Sequence, residues 1–180
     1  MRKVLLLLTM ALLSQSIKAQ ELEGTYIASR EFHTLMNSFV EEENVDVDFS
    51  LFFNKNIINI LVTVHVSSEG MDIDCVLTIP GTYQRTGNRM HCTFNKKSTS
   101  FALKDIRSEN PEIKEVLSSD ESRDGLYKLL EEMMREDMES EMSDISEVSD
   151  VFQNFTIKSQ TSNIIIVVLE DEMEIKFLKH

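Results

Sequence analysis

Met71-Asp72-Ile73-Asp74-Cys75-Val76-Leu77-Thr78-Ile79 decides the fold. Apolar side chains fall at 71, 73, 75, 77 and 79, with Asp72, Asp74, Val76 and Thr78 between them. Side chains alternate faces along a strand, so this period-2 pattern makes one apolar face and one mostly wet face. Val45 to Phe53 repeats it, with Val45, Val47, Phe49 and Leu51 against Asp46, Asp48 and Ser50. Turn residues punctuate the strands: Asn54-Lys55-Asn56, Ser67-Ser68-Glu69-Gly70, Thr86-Gly87-Asn88 and Asn95-Lys96-Lys97-Ser98. Asn and Gly tolerate positive φ, and each of these stretches can reverse the chain. Pro80-Gly81 interrupts the ladder and reads as a bulge or strand corner, since Pro has no N–H to donate.

From 45 to 106 the chain therefore predicts an antiparallel meander, whose last strand is Thr99 to Ile106. A meander of this length must curl or split to bury its apolar face and protect its edges. The continuously apolar Ile57–Val66 and Ile164–Leu169 are expected to be buried on both faces. Before the meander, Gly24-Thr25-Tyr26 opens a first strand reaching about Glu31. Phe32, Leu35, Met36 and Phe39 then follow a helical period, so a short helix over 32–44 is preferred to a long irregular strand.

After Pro111 the pattern changes to α-helix. Pro111–Leu117 is a short piece, and Ser118-Ser119-Asp120 supplies caps for the next helix. A stripe of Leu126, Leu129, Leu130, Met133, Met134, Met138, Met142 and Ile145 follows, with glutamates outside it. Packing on the outside of the sheet, with Met as filler, is the favoured role of this helix. A surface for a protein partner at Met133, Met134 and Met138 is the functional alternative, because Met suits adaptable surfaces. Residues 143–150 read as a Ser/Asp/Glu linker, and strands return at 152–160, 164–169 and 172–178.

The first twenty residues, MRKVLLLLTMALLSQSIKAQ, carry Arg2 and Lys3, an apolar run to Leu13 and a small residue at Ala19. This predicts a cleaved signal peptide over 1–19, leaving 20–180 as one domain with a helical insert at about 111–147. The expected address is the periplasm or the exterior. A bacterial lipoprotein is disfavoured, because the first cysteine is Cys75. The net charge of −13 argues against nucleic acid, whose phosphates need clustered Lys and Arg. Cys75 and Cys92 share the parity of their apolar neighbours. They make a possible disulfide in an exported chain, with two buried thiols the preferred alternative.

No metal-spaced His/Cys cluster, phosphate loop or triad order is present, so no enzyme, cofactor or metal is expected. His33, His65 and His91 read as hydrogen-bonded structural residues. The aspartate pairs 46/48 and 72/74 read as solvating charges, and Asn154-Phe155-Thr156 matches a glycosylation acceptor pattern.

Gly24-Thr25-Tyr26, the hairpin Gly81-Thr82-Tyr83-Gln84-Arg85-Thr86-Gly87-Asn88 and the closing Ile157–Asn163 with Glu170-Asp171-Glu172 give the chain a likeness. It resembles the small exported lipocalin-like (calycin-type) proteins of Gram-negative bacteria, with Tyr26 where lipocalins carry Trp. The resemblance implies a mainly β, up-and-down antiparallel barrel of about eight strands, interrupted by the helical insert. It also implies a cavity for a small apolar ligand, lined by Tyr26, Phe49, Leu51, Ile73, Leu77, Tyr83, Phe94 and Phe177.

Overall fold

In a computed structural model, the described residues are 21–30, 32, 45–68, 70–138 and 148–180. The expected signal peptide and the expected helix over 32–44 fall almost entirely outside them. The described residues build nine strands: β1 (Gly24–Ala28), β2 (Val45–Asn54), β3 (Ile57–Ser68), β4 (Met71–Thr86), β5 (Arg89–Phe94), β6 (Ser100–Ser108), β7 (Asn154–Gln160), β8 (Ile164–Leu169) and β9 (Glu174–Lys179). Two helices, α1 (Pro111–Ser118) and α2 (Asp120–Met138), lie between β6 and β7.

All pairings are antiparallel, every strand but β6 lies beside a sequence neighbour, and β9 returns to β1, so the sheet closes. β3 occupies one edge of β4 from Met71 to Thr82. On the other edge, β6 takes Met71–Thr78 and β5 takes Gly81–Thr86. β5 and β6 therefore act as a single strand broken at 95–99, and the ring has eight members.

That break explains Pro80. It lies where β4 changes partner from β6 to β5, and its carbonyl accepts from Asn95 N–H at 2.8 Å. An N–H at position 80 would point into the same gap, so its absence removes no ladder bond. Gly81 is required for a different reason. A Cβ there would meet Phe94 at 2.6 Å and the Thr93 carbonyl at 2.8 Å, so only hydrogen fits between the two strands.

The alternation read from the sequence sets the two faces. Val47, Phe49, Leu51, Phe53, Ile58, Ile60, Cys75, Leu77, Ile79, Ile165, Val167, Ile175 and Phe177 point inward and are buried. The double burial expected for β3 and β8 is not found. Leu61, Ile164, Ile166 and Val168 are half-buried and Ile57 is 42% exposed. A closed single sheet has only one dry face, and the apolar outer positions reflect the preference of β-branched residues for pleated backbone.

The expected linker also differs. Residues 148–151 form a helical turn, and strand β7 begins only at Asn154. Lys96 fixes the turn through Asp150 at 2.7 Å and holds that carboxyl below the ordinary carboxylate range. Cys92 N–H adds a bond to the Gln153 carbonyl at 2.7 Å.

α1 begins as predicted, with the Asn110 side chain accepting from Glu112 N–H and Pro111 in the first turn. The helices stand beside β6, in the place where β7 would have continued past β5. Tyr127 of α2 accepts the outward N–H of Ile106 at 3.1 Å, which covers part of a strand edge that no other described strand pairs.

Candidate functional site

The eight residues expected to line a cavity do meet. Tyr26, Phe49, Leu51, Leu77 and Phe177 belong to one buried cluster, with Ile73, Tyr83 and Phe94 packed against it. They enclose side chains rather than space. Phe49 stacks on Phe152 with ring centroids 5.0 Å apart, and Phe177 and Phe155 meet Phe152 edge-on at 6.5 and 6.2 Å. At the other end Phe53 bridges Tyr26 and Tyr83 at 5.8 and 5.6 Å, while Leu22 is buried as a stopper. Phe49, Leu51, Phe53, Ile58, Ile60, Ile79, Ile165, Val167 and Phe177 have no accessible surface. No void large enough for water touches any of them.

Phe152 was missed because it falls in a segment read as strand. A signal was present, since Phe152 has the wrong parity for a strand whose inward residues are Phe155 and Ile157. That mismatch places a backbone break between them.

The barrel is less tightly closed at its helical end. Val45, Val66, Ile73 and Ile106 form the last inward row across β2, β3, β4 and β6. The first three are only half-buried. Leu117 of α1 and Leu126, Tyr127, Leu130 and Met134 of α2 pack toward this end. Cys75 Sγ contacts Met134 Sδ at 3.8 Å. The predicted stripe therefore divides. Met134 faces the barrel, Leu129 and Met133 are 56% and 54% exposed, and the side chain of Met138 lies outside the described residues.

The Cys75–Cys92 disulfide does not form, and both thiols are free and buried. Cys92 pairs with Tyr83, eight residues along β4 from Cys75, which separates them by ~26 Å. A bridge needs Cα atoms within ~7 Å. Burial pushes the Cys75 thiol up to about 11, with the Asp74 charge adding to it, and pushes Cys92 up to about 12. Both are therefore protonated and poorly nucleophilic at neutral pH.

Two polar features lie on the outer face. His65 Nδ1 is 2.7 Å from Asp74 Oδ1 and Nε2 is 3.3 Å from Asp48 Oδ2. Arg107 Nη2 donates to both oxygens of Asp74 at 3.0 and 2.9 Å. Asp48 and Asp74 thus do more than hold water, because each belongs to a cross-strand ion pair. An open groove of about 740 Å³ crosses β5, β7 and β8, lined by Thr86, Arg89, His91, Asn154, Thr156 and Glu170 among others. Its His91 lies with Nδ1 2.7 Å from Asn154 Oδ1, a bond that ties β5 to β7. Among the described residues, no cluster of His, Cys, Asp and Glu has the arrangement of a metal site.

The fold defines the class: a closed eight-member antiparallel barrel, compatible with a lipocalin-like architecture, carrying one broken strand and a helical pair. No protein-family model matches the chain, and comparison with curated proteins finds no significant match.

Proposed function

We propose that this chain is an exported, non-catalytic binding protein whose barrel is a solid scaffold and whose helical pair meets a protein partner. The observation that carries the reading is a contrast of exposure. Core rings such as Phe49 and Phe177 have no accessible surface, while Leu129 and Met133 hold more than half of theirs. The N-terminal apolar run behind Arg2 and Lys3 supports export. Protonated, buried thiols support a non-catalytic role.

The partner surface that fits is an apolar ridge bordered by Lys or Arg, because α2 surrounds its exposed apolar positions with Glu131 and Glu132 and starts with Asp120, Glu121 and Asp124. A photo-crosslinker placed at position 133 tests this in the intact cell envelope, with position 158, on β7 at the opposite end of the barrel, as control. The proposal expects a discrete protein adduct at 133 only, lost when Leu129→Glu is added. Equal adducts at both positions, or an adduct indifferent to Leu129→Glu, would overturn it.

A second reading keeps a small apolar ligand, now at the helical end of the barrel rather than in its depth. The half-buried Val45, Val66 and Ile73 favour it. Native mass spectrometry of protein isolated without refolding would show a bound apolar molecule, and Ile73→Glu would remove it. A bare mass in every preparation counts against this reading.

A further inference from the structure

Both ring nitrogens of His65 face carboxylate oxygens, Asp74 at 2.7 Å and Asp48 at 3.3 Å. A neutral imidazole has one N–H, so it can serve only one of them and must turn a lone pair on the other. The doubly protonated ring serves both. The charges then alternate across four neighbouring strands: Asp48 on β2, His65 on β3, Asp74 on β4 and Arg107 on β6.

From this stereochemistry we propose that His65 acts as an imidazolium clasp, a pH-sensitive stitch that ties β2 to β4 and opens as the medium turns alkaline. The surroundings set its direction. Asp46 lies opposite His65 on β2. Asp72 flanks Asp74 on β4 and takes a hydrogen bond from Ser67 at 2.6 Å. On β6, Asp105 lies opposite Asp74 and stands 3.5 Å from Arg107, the other cation of the row. Deprotonating His65 removes the cation that lies between Asp48 and Asp74, and the carboxylates of this patch then repel one another more strongly.

Burial by itself would lower the affinity of His65 for its proton, but the hydrogen bonds and charges of Asp74 and Asp48 outweigh it and raise the value. A raised histidine stabilises the fold fully below its ordinary value of ~6.5, and that contribution fades as pH rises through the folded value. The patch is part of the wall that carries the helices, since β6 continues into α1 and holds Tyr127. The clasp therefore links the acidity of the medium to the firmness of the surface on which α2 rests.

Histidine NMR titration of the full chain, with amide exchange of Val47 and Val64, tests the clasp. The wild-type His65 ring titrates above ~6.5, and Asp48→Asn brings its midpoint down. Exchange protection of Val47 and Val64, corrected for intrinsic rates, falls between pH 5.5 and 8.5 by up to ~10-fold for each unit by which His65 stands above its ordinary value. In His65→Gln the same amides show no such fall. A His65 midpoint at or below ~6.5, or a His65→Gln protein with the wild-type pH profile, would overturn the clasp. Should the variant fail to fold, the wild-type midpoint alone decides.

Discussion

The aromatic floor of the barrel and the helical pair beside β6 are held by different means. The floor is a set of rings from β1, β2, β4, β7 and β9 and from Phe152 just after the turn at 148–151, all of them buried except the half-buried Tyr83. Phe49, Phe53, Phe152 and Phe177 each meet two or three other rings, so no single contact defines the fit. The pair leans on the helical end of the core through Leu117, Leu126, Leu130 and Met134, the last against Cys75 of β4, plus one hydroxyl bond from Tyr127 to β6. Nothing in α1 is fully buried. The chain uses close packing in the floor and thin cover over the helices, so stability is concentrated in the floor.

The hardest test of that contrast is Phe152→Ala. Phe152 is the one floor ring that comes from the helical insert's return path, and removing it should cost about 3–5 kcal/mol in denaturant unfolding. A loss below ~1 kcal/mol would mean the turn at 148–151 is a detachable plug, which would blur the contrast and reopen the barrel depth to a ligand. A second test uses the thiols. Their raised values mean that stability is whole below the ordinary thiol value of 9.0 and is lost as pH climbs toward about 11 and about 12. Thiol labelling should be slow in the native protein, and Cys75, covered by Met134 of the helical pair, should react before Cys92 under the floor. The reverse order would show that the helices are the tighter of the two regions.

Smaller effects sharpen the boundary. Tyr127→Phe removes the hydroxyl that accepts Ile106 N–H, while Asp105 Oδ1 remains within 3.0 Å of the same donor. A loss of about 0.5–1.5 kcal/mol is expected, with faster exchange at Ile106 and none at Ile60. Faster exchange at both would make the helices integral to the floor. Leu129→Glu should change stability by less than about 0.5 kcal/mol, because more than half of that side chain is in water already. A larger destabilisation would assign Leu129 to the core.

Much of this was legible in the linear chain. Strict alternation in 45–53 and 71–79 determined which side chains turn inward, because the pleat allows no other assignment once one face is dry. The Asn and Gly positions marked the turns through their demands on φ, but Pro80-Gly81 marks a change of partner along an unbroken β4, and the register shift falls at Asp74/Cys75 instead. The inward position of Phe49, Leu77 and Phe177 follows from parity alone, and all three are buried. Whether those side chains leave a hole between them was not legible. That depends on Phe152, which arrives from a turn distant in sequence and out of step with its own strand.

The amino-acid order by itself determined an antiparallel sheet with one greasy face, the helical insert and the buried parity of both cysteines, because period and turn chemistry are local properties. Only the tertiary structure decided that the ring closes over a filled interior, that Cys75 and Cys92 lie too far apart to bond, and that His65 sits between two carboxylates. Those outcomes depend on which strands become neighbours and in what register, and distant segments settle that together.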